Sequence, residues 1–360
     1  MKQLKLKSLF IGLTAVISFT SCHKDKKIEP DDTTNPPVNE VAGIYVLNQG
    51  KFNSNNSSLT YYDVTSKLLV ADQYKAVNGS GIGDTGNDLK VYGSKMYIVV
   101  NVSSTVEVVN AKSAKLIKNV SFFNGAVARQ PRSVAFYKNK AYITSYDNTV
   151  AVMDTATLEV SKYITVGRNP EQLVVSNGKL YVANSGGLDF GNPDKTVSVI
   201  DLATDAKIKD IPVGLNPITV AADSYGDVFV VGFGNFGDVP TLTIINSTTD
   251  QASAPAPFTA AFATPMAISG DFAYFITSDN KIQKYDVKAK TIVSGNFITD
   301  GTVITTPYGI KVNDLTGEVF VTDAKDYQSN GKLFAFDKSG KLEYSINTGI
   351  SPGAVAFIYK

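Results

Sequence analysis

Seven times along the chain an apolar residue, an aromatic and a second apolar residue stand in a row, and further on an Asp or Asn closes another apolar run. The aromatics are Tyr45, Tyr97, Tyr142, Tyr181, Phe229, Tyr274 and Phe320, recurring every 39 to 52 residues. The closing residues are Asp63, Asn110, Asp154, Asp201, Asn246, Asp286 and Asp337. A third feature keeps the same register, a proline followed three residues later by an apolar residue. It appears as Pro131 with Val134, Pro170 with Leu173, Pro217 with Val220, Pro265 with Ile268, Pro307 with Ile310 and Pro352 with Val355, while Gly86 before Leu89 fills the proline slot of the second unit. Proline is tolerated at a strand's first residue, where its missing N–H costs no ladder bond. Short strands at a period near 45, separated by turn formers such as Ser176-Asn177-Gly178-Lys179, predict the blades of a β-propeller.

The first aromatic unit, Ile44-Tyr45-Val46, has no proline-led strand before it, and the last proline-led strand, ending at Tyr359, has no aromatic unit after it. The chain therefore reads as an all-β, seven-bladed propeller of four-stranded blades, with the C-terminal strand completing the first blade. Such closure hides a sheet edge that an open array would expose. The closing Asp and Asn residues fall where third and fourth strands turn, and a carboxylate there caps the turn. That structural role accounts for the acids as a set without catalysis.

Strands alternate in direction within a blade, so the two families of short turns share one face. The second-to-third loops and the blade-to-blade crossings share the other, and the long insertions all fall there: 48–58, 184–196, 232–241 and 323–332, with the glycine-rich crossing 78–88. Loops on a rigid scaffold carry function more often than connecting turns do. The candidate ligand-binding residues on this face are Asn48, Phe52, Asn53, Asn184, Phe190, Phe233, Phe236 and Tyr327 from the insertions. Arg129, Arg132, Arg168, Glu171 and Tyr308 join them from the crossings. Aromatic faces offer stacking area, and Asn and Arg offer directional hydrogen bonds to a polar ligand. The same side chains could instead fold back to staple their own loops.

Composition removes several classes of chemistry. The one histidine, His23, precedes the repeats, so the propeller has none for acid–base, triad or zinc roles. Asp84, Asp189, Asp194 and Asp238 lie on the loop face but lack the alternating acids of a calcium loop, so no metal and no cofactor is expected. The inner strands read as mostly apolar and small (Ser133-Val134-Ala135-Phe136, Gln172-Leu173-Val174-Val175), which argues against acids converging on the central channel. The chain is expected not to be an enzyme. At the N-terminus, Lys2, Lys5 and Lys7, an apolar run from Leu9 to Phe19 and small residues before Cys22 read as a lipoprotein signal peptide over 1–21, with Cys22 lipidated. Residues 22–42, rich in Lys, Asp, Pro and Thr, read as a flexible tether, and 43–360 as the propeller. Of 34 Lys+Arg, three lysines leave with the leader, so 31 face 33 Asp+Glu, and no basic excess points to nucleic acid.

Val166-Gly167-Arg168-Asn169-Pro170, leading through Leu180-Tyr181-Val182-Ala183-Asn184 to Val197-Ser198-Val199-Ile200-Asp201, resembles the YncE-like propeller repeat. With the lipoprotein start, Tyr45-Val46-Leu47-Asn48-Gln49-Gly50 and Ser57-Ser58-Leu59-Thr60-Tyr61-Tyr62-Asp63, the chain resembles surface propeller lipoproteins of the Bacteroidetes, including BtuG-type cobalamin-capture proteins. That resemblance implies a lipid-anchored, surface-exposed outer-membrane protein that captures a corrinoid for a TonB-dependent transporter. It supplies no ligand motif to lay onto residues of this chain. The alternatives are a protein-interaction or glycan-adhesion platform and, less favoured by the inner strands, a calcium-dependent propeller hydrolase or lactonase.

Overall fold

Each apolar–aromatic–apolar triplet forms part of the second strand of a sheet that is covered on both faces, which explains why the run does not alternate with polar residues. A computed structural model describes residues 40–360 apart from 188, 190 and 236; Cys22, the expected signal peptide and most of the expected tether lie outside the described residues. Successive side chains of a strand point to opposite faces. Tyr45 therefore turns toward Met96 and Ile98 of the next blade, while Ile44 and Val46 turn back onto Phe320 and Leu333 of the previous one. The same division repeats around the ring, giving seven core clusters, each wedged between two neighbouring sheets. The repeated aromatics are among its largest buried side chains, from 0% exposed at Tyr45, Tyr97, Tyr142 and Tyr181 to 4% at Tyr274.

Seven antiparallel sheets result, and the fold is a seven-bladed β-propeller. The innermost strands of blades 2 to 7 are Gly86–Tyr92, Pro131–Tyr137, Pro170–Ser176, Pro217–Ala222, Met266–Ser269 and Pro307–Val312. Blade 1 takes its innermost strand from the far end of the chain: Pro352–Tyr359 pairs antiparallel with Val41–Asn48 from Val41 opposite Tyr359 to Asn48 opposite Pro352. Lys360 continues the pairing, donating its N–H to the Glu40 carbonyl at 3.1 Å.

All seven closing residues cap their turns as expected. Asp154 Oδ1 accepts from the N–H groups of Ala156 and Thr157 at 2.9 and 2.8 Å, and Asp201, Asp286, Asp337, Asn110 and Asn246 do the same in their blades. Asp63 accepts from the Ser66 N–H at 2.7 Å. Being exposed carboxylates fed by backbone donors, Asp63, Asp154 and Asp201 have their pKa lowered.

Two elements depart from the repeat. A short helix, Gln73–Asn78, follows the two-residue outer strand Leu69–Val70 of blade 1. Asp72 caps its start and left-handed Gly79 ends it, the ordinary stop and start signals of a helix. It bridges blades 1 and 2: Tyr74 is buried and donates to Glu107, and Asn78 Nδ2 donates to the Ala114 carbonyl at 2.9 Å. A two-stranded hairpin, Phe123–Asn124 with Val127–Ala128, forms the crossing from blade 2 to blade 3.

Candidate functional site

The two faces of the ring differ in what they show to solvent. On the loop face Phe52, Phe123, Val127, Val239, Phe262 and Tyr327 are exposed, Phe52 by 71% and Val127 by 68%. The turns of the other face expose Leu68, Tyr225 and Leu315, and the Tyr225 hydroxyl is tied to Asp271. Scattered apolar exposure is ordinary, and the outer strands also expose Leu116, Ile117, Ile208, Ile292 and Val293; between the two faces, the loop face shows more.

At the middle of the loop face opens the central channel, a cavity of about 630 Å³. Its mouth is built by the residue that follows the proline slot of every inner strand. Asn87, Arg132, Glu171, Ile218, Met266, Tyr308 and Gly353 all line it, one from each blade. The ring is thus polar over blades 2 to 4 and 7 and apolar over blades 5 and 6. Arg132 organises the polar arc. Its Nε donates to Glu171 Oε2 at 2.8 Å, its Nη2 lies 2.8 Å from the same oxygen, and its Nη1 donates to Asn87 Oδ1 at 2.5 Å. Asn87 Nδ2 donates back to the Arg132 carbonyl at 2.5 Å. The other Glu171 oxygen accepts from the Tyr146 hydroxyl, and the guanidinium carbon stands 4.8 Å from the centre of that ring. Burial first, then the Glu171 charge, pushes the Tyr146 phenol pKa up, so it stays a donor. Across the mouth Tyr308 donates to Gln49 Oε1 at 2.8 Å and meets Tyr327 edge to face, ring centres 5.5 Å apart. Arg132 and Glu171 neutralise each other, so the mouth offers aromatic faces and amides in place of a net charge.

The structure thus brings together four of the sequence-selected residues, Arg132, Glu171, Tyr308 and Tyr327. Phe52 stands exposed on the rim, and the Asn53 N–H donates to Asp84 at 3.1 Å, which holds that loop down. Asn48 and Asn184 are fully buried clasps. The Asn184 amide donates to Thr196 and Ser198, both at 3.0 Å, and accepts from the Gly167 N–H at 3.1 Å; Asn48 treats Ser58, Thr60 and the Gly349 N–H in the same way. Arg129 is committed to Asp147 and lies 3.9 Å over the Tyr163 ring, and Arg168 holds the insertion 185–195 through Asp189 at 3.4 Å and the Asn192 carbonyl at 2.8 Å. Phe233 is buried against Phe262. These five side chains brace the scaffold. Phe190 and Phe236 lie outside the described residues.

The inner strands differ from the sequence expectation: Asp88, Lys90, Glu171 and Lys311 border the channel. Glu171 is among the sequence-selected residues, but two short apolar stretches taken as typical of all seven inner strands hide Asp88, Lys90 and Lys311. Gln49, Asn87 and Tyr146 were likewise not singled out. Aligning the units on the proline slot and reading the next residue finds the mouth, Asn87 included.

The family described as a domain of unknown function, DUF5074, matches residues 42–350, most of the propeller. The chain belongs to this family. A search of the curated proteins finds no match. Among solved structures, this DUF5074 propeller is similar to a quinoprotein alcohol dehydrogenase-like protein from Bacteroides thetaiotaomicron, with a TM-score of 0.66 and 17% identity over 88% of this chain and 78% of that one. It is also similar to a hypothetical selenium-binding protein from Sulfolobus tokodaii (TM-score 0.61, 13% identity, 90% and 94% covered) and to BamB from Moraxella catarrhalis (0.54, 11%, 88% and 85%). At these identities the likeness is one of fold.

Proposed function

We propose that this DUF5074 protein is a non-enzymatic binding propeller that takes a large, neutral, amide-fringed ligand on its loop face, with a corrinoid as the concrete candidate. The observation that carries the reading is the pair of exposed aromatics, Phe52 and Tyr327, on loops that border a mouth whose charges are already paired. A flat ligand would stack on Tyr327 and Phe52 and exchange hydrogen bonds with Gln49 and the Asn87–Arg132 arc. Acid–base catalysis finds little support at the mouth, because the Glu171 carboxylate is held by Arg132 and Tyr146. The sequence resemblance adds lipidation at Cys22, a place on the outer-membrane surface and delivery to a TonB-dependent transporter, for which the outlying apolar side chains Phe123, Val127 and Val239 are the proposed docking rim.

Titration calorimetry of residues 40–360 with cyanocobalamin tests it. One-to-one binding, weakened about tenfold or more (1.4 kcal/mol) in the Phe52→Ser, Tyr327→Ser double variant, is expected. Absence of heat, with no retention in equilibrium dialysis, removes the corrinoid and leaves a protein or glycan partner for the face.

A further inference from the structure

Below the mouth the channel carries a second, separate arrangement. Lys311 is the fourth residue after Pro307, and Lys90 is the fourth after Gly86. Blade 1, which stands between their strands, has Ala356 at the same position, and all three line the cavity. Ala356 is buried in the core between blades 1 and 2, so this position brings charge to the channel only from the two lysines. Lys90 is already engaged: its Nζ donates to the Val134 carbonyl at 2.5 Å and stands 3.5 Å from Asp88. The Asp88 oxygens are taken as well, by Ser133 Oγ at 2.6 Å and by the N–H groups of Val134 and Leu89, each at 2.9 Å. Arg132 and Glu171 hold each other.

Lys311 is the exception. It is open to the space of the channel, yet protein surrounds it and burial lowers the pKa of its ammonium. Asp314 and Asp88 oppose that shift and Lys90 adds to it, all acting through space without a hydrogen bond among the described residues. A cation with no contact partner among the described residues is stabilised by an incoming anion. The lining also takes in Leu173, Val220 and Pro265 and, from the mouth, Ile218 and Met266, an apolar side made by the edges of the cores of blades 4 to 6. The cavity, about 630 Å³, falls within the range of roughly 300–1,000 Å³ usual for small-molecule pockets.

We propose that the channel is a ligand site in its own right, holding a small organic carboxylate with an apolar body, its carboxylate on the Lys311 ammonium and its body along the wall of blades 4 to 6. The site shares Ile218 and Met266 with the mouth but uses none of the side chains assigned to the loop-face ligand, and it stands or falls separately from that reading.

Calorimetric titration of the full chain with octanoate, and with 1-octanol as its uncharged match, tests the assignment. Octanoate binds one-to-one and more tightly than octanol, Lys311→Met weakens octanoate at least tenfold while leaving octanol unchanged, and Lys311→Arg keeps most of the affinity. Lys311→Gln, which removes the charge and keeps a polar side chain, weakens octanoate too. Phe52→Ser with Tyr327→Ser leaves it unchanged. Failure of the wild-type chain to bind octanoate, or equal affinity in Lys311→Met, overturns the proposal. If Lys311→Met does not fold, Lys311→Gln decides: undiminished binding overturns the site.

Discussion

Side chains at one repeat position do the same work with different chemistry, and that exposes what each contributes. Three residues past the repeated aromatic stand Asn48, Asn184 and Asp323, and each accepts from backbone N–H groups of the crossing beside it. A Cβ on Gly167 would come within 2.4 Å of the Asn184 side chain, and one on Gly349 within 2.8 Å of Asn48. The clasp and its glycine therefore come as a pair. The turn caps offer a cleaner test, because Asn110 and Asn246 make the same bonds without titrating. At Asp63, Asp154, Asp201 and Asp337 the folded pKa lies below the ordinary 3.8. Their contribution is fully present above the unfolded value and is lost as pH falls through the folded ones. Replacing all four by Asn keeps the turns and removes that dependence. Urea midpoints followed from pH 5 down to 2.5 are expected to fall less steeply in the variant; Asp326, held at about 2 by its own turn, still titrates in both. Parallel slopes would mean that the turns gain nothing from charge.

Where blades meet, one contact recurs with its charges kept, reversed or missing. Four residues past the closing Asp or Asn, Asp205 of blade 4 accepts from Lys140 Nζ at 2.5 Å and the Tyr142 hydroxyl at 2.7 Å of blade 3. Asp250 takes Lys179 and Tyr181 in the same way, both at 2.7 Å. Between blades 5 and 6 the charges exchange ends, Asp227 against Lys290 at 2.7 Å, beside a phenylalanine that needs no acceptor. Between blades 2 and 3 the position holds Leu158, and the buried Tyr97 hydroxyl has no partner among the described residues. Tyr142→Phe is therefore expected to cost about 0.5–1.5 kcal/mol, the net worth of a hydrogen bond, whereas Tyr97→Phe is neutral or stabilising. In an Asp205→Leu background the Tyr142→Phe cost vanishes. Urea unfolding of the four variants measures all of this, and equal effects at Tyr97 and Tyr142 would refute the role given to Asp205. These contacts were not read from the sequence: the period places each strand, but the partners lie 63 to 71 residues apart and each interface has its own chemistry. The blades themselves were legible, since strand, turn cap and proline each leave a local mark. The mouth was half legible. Arg132, Glu171 and Tyr308 drew notice as polar or aromatic residues in crossings, while loops that seemed built for ligand spent Arg129, Arg168 and Asn184 on holding themselves.

The ring as a whole is held shut by strand pairing and not by side-chain packing alone, because blade 1 is made from both ends of the chain. This was legible from a count of first strands against aromatic strands, offset by one unit. Its energetic meaning follows from the topology. Opening the ring anywhere requires either parting two blades joined by a covalent crossing or stripping Pro352–Tyr359 from Val41–Asn48. A circular permutant that begins at Pro352, joins Lys360 to Glu40 through a short linker and ends at Ser351 keeps every side chain and every strand pair, since the two joined residues are already hydrogen-bonded neighbours at 3.1 Å. What it loses is the interlock: blade 1 becomes a contiguous sheet, and blades 7 and 1 are left with the packing of Phe320, Leu333, Val46 and their neighbours and with hydrogen bonds such as Tyr308 to Gln49 and the Gly349 N–H to Asn48. Its unfolding is expected to be faster than that of the native order, while a native-like circular dichroism spectrum shows the same blades formed. The effect belongs on the unfolding limb, because the interlock is completed only when the last strand docks, after most of the surface is buried. Stopped-flow unfolding in urea reads it directly. Equal unfolding rates in the two orders would place the resistance to opening in the seven inter-blade cores, and the closing strand would then matter for covering an edge rather than for locking the ring.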